Sequence, residues 1–586
     1  MATELPDSRS GVRFEADENP PLPLTFGLGL QLAVLAIGGI VLTPAIIVRA
    51  AGGSDAFLAW AVFAAVAVSG LTTVLQAVRL GRIGAGYVLL MGTSGAFIAV
   101  SITAIVEGGP AMLATLIVIS SLFQFALSTR LSLFRRILTP TVVGTVIMLI
   151  AVTVMPIAFD MLKTQSDGAP AIAPAVISAV TLFVILGIAL KATGALRLWA
   201  PVIGVIAGSV TAGYFGMYDT PRIAEAAWIG IPDFAWPGFD LQFGPVFWKL
   251  LPAFVFVTLV GAMETIGDAS AIQGVSWRKP RAVDFRAVQG AVAADGVGNL
   301  LSGLGGTVPN TTYSSSVAVT ELTGVAARGV GVAIGCIFVV LAFLPKALAV
   351  ILAIPDAVVA AFLVVILSML FAVGMKMVVQ AGLDYRTGLV AGVSFWMGVG
   401  FQNGLIFPQY VSAFAGGLLE NGMTAGGLTA VLMTLFLELA APRRRRVETA
   451  FDLQALPVIR DFLADFATRN GLQPETAGRL DAAGEETMLT LLRENEGGAE
   501  PAPRRLRLTA HREAGGVVLE FVATGGEENI EDRIALLGEG AAAGEQIEHE
   551  VSLRLLRHLA SSVHHQQYHD TDILTVRVDA ESRSPI

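Results

Sequence analysis

Long apolar runs separated by short polar breaks fill the chain from residue 24 to residue 441. A helix that crosses a bilayer needs about 20 mostly apolar residues. Fourteen segments are read on that basis: 24–49, 55–77, 85–106, 109–130, 137–158, 172–190, 198–217, 246–272, 286–304, 313–326, 329–352, 355–380, 387–405 and 423–441. The segments 85–106, 286–304, 313–326 and 387–405 are shorter or richer in Gly and small polar residues than the rest. After the arginine run 443–446 the pattern changes. Residues 452–470, 474–494 and 551–562 have helical periodicity, and residues 504–512, 516–523 and 572–578 alternate like strands. The expected organisation is a disordered lead-in (1–23), an all-α polytopic membrane domain (24–442) and a soluble α/β domain (443–586).

Composition agrees. Of 586 residues, 54% are hydrophobic and 15% charged, and the mean hydropathy is +0.70. Soluble globular domains carry about 25% charged residues. An ordinary soluble enzyme, a disordered chain and a disulfide scaffold are therefore excluded. All six histidines lie beyond residue 510, so proton chemistry in the membrane falls to carboxylates, substrate or water. The single cysteine, Cys336, sits in an apolar run and is expected in core packing. The net charge of −9 does not suggest nucleic-acid binding. Residues 1–23 are acidic and lack the basic start of a signal peptide.

Loops after even-numbered segments carry most of the basic residues, among them Arg79, Arg82, Arg135, Arg136, Arg278 and Arg281. Loops after odd-numbered segments are more acidic, with Glu107, Asp160, Asp219 and Asp233. Basic loops face the cytoplasm, so both termini are expected there.

Two stretches interrupt the apolar pattern in the same way, YVLLMGTSGAFI at 87–98 and GLGGTVPNTTYSSSVAV at 303–319. Non-helical backbone at membrane depth is tolerated where it is buried in protein or lines a cavity. Paired interruptions point to a midplane site facing half-helix N-termini; small-residue helix packing is the alternative. Glu264 and Asp268 are spaced i and i+4 and so share a helix face. A mid-bilayer charge costs about 2.5–3.5 kcal/mol on insertion scales, and such residues usually carry function. Asp268 could instead sit at the interface. For Asp295 and Glu321, an interfacial position or a structural ion pair stands beside a direct role.

These residues resemble the nucleobase–ascorbate transporter family, also called xanthine/uracil permeases. The resemblance spans roughly residues 24–441. It rests on ETIGDASAI from Glu264, on ADGVGNLLSGLGGTVPNTTYSSSVAVTELTGVAAR at 294–328, on GTSGAFI at 92–98 and on GLLENGMTAGGLTAVLMTLFLEL at 417–439. It implies fourteen helices in a 7+7 inverted repeat, with core and gate domains and short strands in segments three and ten. It further implies elevator-type, proton- or sodium-coupled symport of a purine or related nucleobase, a homodimer, and a bacterial inner-membrane location. Glu264 matches the carboxylate that bonds the base. Gly95, Ala96 and Phe97 match the third-segment residues lining the site, and Asp268 matches a position tied to coupling. No cofactor or metal is expected.

The chain departs from the family pattern at the start of segment ten. Where the family has Gln or Glu, then Asn, then Gly two residues later, this chain has Ser315, Ser316 and Ala318. Serine is too short for the same contact, and a site deprived of such a bond loses discrimination strongly. Ser314, Ser315 and Ser316 are the substrate-binding candidates here. Glu321, seven residues after Ser314, is a candidate replacement carboxylate that joins Asp268 and Glu264 in ion coupling.

The C-terminal part resembles the ATP-binding domain of anti-sigma and histidine kinases, through AAGEETMLTLL at 482–492 and VSLRLLRHLASSVHHQQYHDTDILTVRV at 551–578. Thr490 stands where that family has its magnesium-holding asparagine, ATGG at 523–526 lacks the adenine-reading aspartate, and EVS at 550–552 replaces the G-x-G lid. A degenerate, ATP-silent regulatory or dimer-contact module is expected, with an unrelated α/β tail as the alternative. His564, His565 and His569 could bind metal, but a solvated cluster fits their surroundings better. The expected function is nucleobase transport. A nucleobase sensor signalling through the tail and an anion carrier of 7+7 architecture are the alternatives, and an enzyme has no candidate catalytic set.

Overall fold

The computed structural model describes residues 11–579 except 135–138, 164–169, 280, 381, 383, 411–418, 420, 441–443, 495–504, 514, 524–528, 536–552 and 570. It divides into two compact units. Arg9–Arg278 and Ala287–Leu437 form the first, and Lys279–Arg286 and Glu438–Ile586 belong to the second.

The first unit is helical. It runs α1 (Leu22–Ala50), α2 (Asp55–Val78), strand β1 (Leu90–Thr93), α3 (Ile98–Thr129), α4 (Pro140–Met161), α5 (Ala173–Lys191), α6 (Ala200–Tyr214), α7 (Pro245–Val275) and α8 (Phe285–Gly305). Strand β2 (Asn310–Tyr313), α9 (Ser315–Thr323), α10 (Arg328–Ala342), α11 (Pro345–Leu352), α12 (Asp356–Gln380), α13 (Tyr385–Gln402) and α14 (Gly422–Ala440) follow. Several starts are capped as their sequences dictate. Ser54 and Thr139 accept the Phe57 and Val142 N–H groups, and Asp384 forms a reciprocal box with Thr387. Segments three and four run on as α3, broken at Gly109 (φ 80°, ψ 174°) just before Pro110.

Packing sorts these helices into two sets. One holds α1, α2, α3, α7 and α10 with both strands, and the other holds α4, α5, α6, α12 and α13. In the second set α4 and α12 cross at Gly144 and Gly374. A Cβ at either glycine would lie 2.5 Å from the other's carbonyl oxygen. With no lipid-excluding hydrophobic force between helices, such close backbone approach supplies the packing.

Among the described residues, eight helices are long and apolar enough to cross a membrane. The number is nine if α10 and α11, bent by 87°, form one span. By length and composition the described residues do not reach the fourteen spans expected. The segment at 313–326 is divided into β2 and the short α9, α6 has 15 residues, and α8 carries Asp295 and Asn299 among small residues. Cys336 is exposed on α10, a correction to its expected core position. The reason is the helical turn: neighbouring Gly335 takes the inward face, against Gly70 of α2.

Residues 11–20, expected to be disordered, also differ from expectation. The Arg13 and Phe14 N–H groups donate to the Gly324 carbonyl, and the Ala326 and Arg328 N–H groups donate to Phe14 and Ala16 carbonyls. Gly324 ends α9 in the left-handed conformation (φ 66°), and a Cβ there would lie 2.0 Å from the Gly11 carbonyl oxygen. Arg278, just past α7, donates to Glu18 at 2.6 and 2.8 Å and to the Val12 and Arg13 carbonyls. The segment is thus bonded both to the end of α7 and to the α9–α10 junction.

The second unit holds a five-stranded antiparallel sheet in the order β3-β4-β5-β7-β6, made of Arg445–Ala450, Arg505–Glu513, Gly516–Ala523, Ser562–Gln567 (β6) and Asp572–Asp579 (β7). Helices α15 (Ala455–Arg469) and α16 (Pro474–Glu494) bury Ile459, Leu463, Phe466, Leu480 and Met488 with Leu508, Leu519, Phe521 and Leu574 of the sheet. Burial alternates along β3, while β5 is buried along most of its length. Strands β3 and β6 were not expected: β3 begins inside the basic run, and β6 carries the histidine pair. Of the helix expected at 551–562, residues 553–559 are helical and 551–552 lie outside the described residues. The lid substitute at 550–552 and residues 524–526 of the ATGG stretch also lie outside them. Within this unit Asp532 accepts the Ala282 N–H, and the Phe285 and Tyr568 rings lie 5.1 Å apart. Arg286 donates to Gln567 at 3.4 Å.

Candidate substrate site

The two interrupted stretches meet. β1 and β2 pair antiparallel with Leu90 opposite Tyr313 and Thr93 opposite Asn310. Each strand leads directly into a helical start, the turn Gly95–Phe97 before α3 and Ser314 before α9. The strands satisfy one another's backbone groups, which is what extended chain at this depth requires. Both helix starts then present N–H groups to the same place. The Tyr313 hydroxyl donates to the Thr93 carbonyl (3.0 Å), closing the ladder's end.

Beside this pair lies a cavity of about 290 Å³, near the lower end of the roughly 300–1,000 Å³ typical of small-ligand sites. Its polar lining includes Thr93, Glu264, Thr311, Thr312, Ser314 and Ser315. Leucines and isoleucines of α4 and α12 form the opposite wall, so the cavity lies between the two helix sets. Of the candidate residues, Glu264, Gly95, Ala96, Ser314 and Ser315 line it; Phe97, Ser316, Asp268 and Glu321 do not. Phe97 is buried with its ring 6.1 Å from that of Phe254. The Ser316 hydroxyl donates to the Tyr313 carbonyl. Glu321 is exposed on α9.

The two carboxylates of α7 have different surroundings. Asp268 is buried, and its oxygens accept the hydroxyls of Thr312 (2.7 Å) and Ser314 (2.6 Å). It therefore ties α7 to the strand end and the start of α9. Glu264 makes no hydrogen bond among the described residues and is presented to the cavity. An ionised carboxylate there can accept two N–H groups, and a protonated one can donate once. The Ser315 hydroxyl is also buried in the lining without a partner among the described residues.

A further polar network stands behind the site. Asp295 of α8 accepts from Gln124 of α3 and from the Thr265 hydroxyl, both at 2.7 Å. Asn299 donates to Gln124 (2.8 Å) and accepts the Asn310 N–H (2.7 Å). The network holds α3, α7, α8 and β2 together beside Glu264. Sequence reasoning named Asp295 but missed Gln124, Asn299 and Thr265. The one available signal was Asn299 at i+4 from Asp295, on the same face of an otherwise small-residue helix.

The xanthine/uracil permease model, described as a permease family, matches residues 24–405. A putative purine permease of Clostridium perfringens is 28% identical over 463 residues, covering 76% of this chain and 98% of that protein. Xanthine permease XanP of Escherichia coli K12 is 28% identical over 447 residues, covering 72% and 94%. Among solved structures, the transmembrane domain of the cyanobacterial bicarbonate transporter BicA matches with a TM-score of 0.45 and 17% identity, over 72% of this chain and all of that one.

Proposed function

Since this chain belongs to the xanthine/uracil permease family and is a transporter rather than an enzyme, we propose that it is a proton-coupled secondary transporter of a xanthine-like purine base. The observation that carries this reading is Glu264. Its carboxylate is unbonded and presented to a cavity framed by two strand-to-helix junctions and closed by an apolar wall.

In this reading the base lies between the β1–β2 pair and the α4/α12 wall. Glu264 accepts its ring N–H groups, and the helix starts at Gly95 and Ser314 donate toward its carbonyl oxygens. Glu264 also carries the coupled proton, because the membrane helices hold no histidine. Asp268 keeps β2 and α9 in register with α7, so the polar half of the site moves as one body. The apolar wall has no polar grip on the base, which suits an elevator-type displacement of the first helix set against the second. A 7+7 repeat of fourteen segments, with the two strands in equivalent positions, fits this arrangement. Both termini are cytoplasmic in it, and the assembly is a homodimer in the bacterial inner membrane.

In the C-terminal unit the Thr490 hydroxyl is turned back onto the Glu486 carbonyl of its own helix (2.8 Å) and buried. That supports a module that does not hold magnesium and acts as a regulatory element.

The test is uptake of radiolabelled xanthine into proteoliposomes with and without an inward proton gradient. Gradient-driven accumulation that is lost in Glu264→Gln is expected. Saturable binding with no accumulation would replace the transporter by a sensor. Accumulation unaffected by Glu264→Gln would remove Glu264 from the site.

A further inference from the structure

A second cavity, of about 190 Å³, lies where α7 begins, roughly 15 Å or more along that helix from Glu264. It uses the same three helices as the first. It is lined by Thr103 and Glu107 of α3, Lys249 and Phe254 of α7 and Thr153 of α4, whereas the first cavity uses other positions of the same helices. An aromatic pair separates the two. Phe254 lines the second cavity, and Phe97, packed on Phe254, lies 3.9 Å from a Cβ position at Gly261 in the first. By the basic-loop orientation the second cavity opens outward.

Its walls are polar in a complementary way. On the α3/α7 side the Lys249 ammonium donates to both oxygens of Glu107, at 3.0 and 3.2 Å, and Thr103 stands beside them. On the opposite side Gln402 donates to the Thr153 carbonyl (3.3 Å), while its own carbonyl oxygen is buried without a partner among the described residues. The Asn421 carbonyl end accepts from the Thr424 N–H and hydroxyl, which leaves its amide donors to offer. A buried unpaired acceptor is unfavourable until something donates to it. An ammonium, an amide donor and a waiting acceptor, set around a narrow space, fit a planar oxo-heterocycle with adjacent carbonyl and N–H groups.

We propose that this cavity is a second binding site, an outer capture site for the transported oxo-heterocycle, in line with the Glu264 site and gated from it by Phe97 and Phe254. It rests on the transport reading above. Gln402 accepts a ring N–H, and Lys249 and Asn421 donate to carbonyl oxygens. Because the two walls belong to different helix sets, a captured base bridges them only while they stand as in this structure.

Equilibrium binding of radiolabelled xanthine to the purified full-length protein tests it by stoichiometry. Two molecules per chain are expected in the unaltered protein. One is expected in Gln402→Leu, in Lys249→Met and in Glu264→Gln, and none in Glu264→Gln combined with Gln402→Leu. The site retained in each single variant shows that the protein is folded. One molecule per chain, lost in Glu264→Gln and unaffected by the other two substitutions, would overturn the outer site and leave the transport reading standing. Absence of xanthine binding in every form would overturn both.

Discussion

The Ser314 hydroxyl donates to Asp268 across 2.6 Å, joining the first residue after β2 to the C-terminal third of α7. With the Thr312 bond to the other oxygen, it makes Asp268 a brace between α7 and the β2–α9 junction. Asp268→Ala leaves two hydroxyls without their acceptor, at a cost of about 1–3 kcal/mol. A lower Tm and at least a tenfold loss of uptake are expected. Asp268→Asn keeps one acceptor and should lose less stability. Thermal melts in detergent, alongside uptake, check this; an Asp268→Ala protein with unaltered Tm and uptake would refute the brace.

Among the described residues the Ser315 hydroxyl is unpartnered in the cavity wall. Ser315→Gln is expected to add one hydrogen bond to a bound base. At about 0.5–1.5 kcal/mol, that tightens binding roughly two- to tenfold. Ser315→Ala should leave Tm unchanged, since no partner is lost within the protein. Titration of xanthine into each variant decides it, and weaker binding by Ser315→Gln would place the base away from this wall.

The bonds from residues 12–18 to Arg278 and to residues 324–328 predict local rather than global effects. Arg278→Ala removes the donor shared by Glu18 and two carbonyls. Faster amide exchange at Ala326 and Arg328, with little change in Tm, is expected from hydrogen-exchange mass spectrometry. Unchanged exchange there would mean that the backbone bonds alone hold the segment.

The histidine pair of β6 gives opposite pH dependences. Burial pushes His565 down to about 4, and its Nδ1 accepts the Ile530 N–H. A depressed histidine is neutral in the fold. Its contribution is therefore complete above the ordinary value of 6.5 and is lost as pH falls toward 4, by roughly 3 kcal/mol in total. His564 is raised, first by its hydrogen bond with Glu531, so its smaller contribution is complete below 6.5 and lost at higher pH. The C-terminal sheet should lose exchange protection between pH 6.5 and 4, and His565→Gln, which can still accept from Ile530, should flatten that loss. The same slope in both proteins would show that His565 does not govern it.

The site was partly legible because some of its constraints are local. The i, i+4 spacing of Glu264 and Asp268 put both on one helix face, and the small polar runs marked where the helices break. What separates a cavity-facing Glu264 from a braced Asp268 is Thr312 and Ser314, 44 and 46 residues away, and no local pattern encodes that. Gln124 lies 171 residues from Asp295 and looked like an ordinary polar residue at the end of an apolar run. Glu321 shows the reverse error of local reasoning. Helical spacing from Ser314 suggested a shared face, but α9 turns Glu321 to the outside. In the C-terminal unit alternation found β4, β5 and β7. It missed β3 and β6, whose Arg and His content disguises half-buried strands.

The β1–β2 ladder joins residues as far as 223 positions apart, Leu90 and Tyr313. During synthesis the first strand therefore emerges long before its partner exists. Until residues 310–313 arrive, the strand groups that face β2 stay unpaired, which hydrocarbon penalises by several kcal/mol each, whereas the Met91 N–H already has Thr73 of α2 to donate to. The early half must wait in a wet or chaperoned setting. The ladder thus makes the late half a condition for completing the early one, so a chain halted before residue 310 cannot form the site.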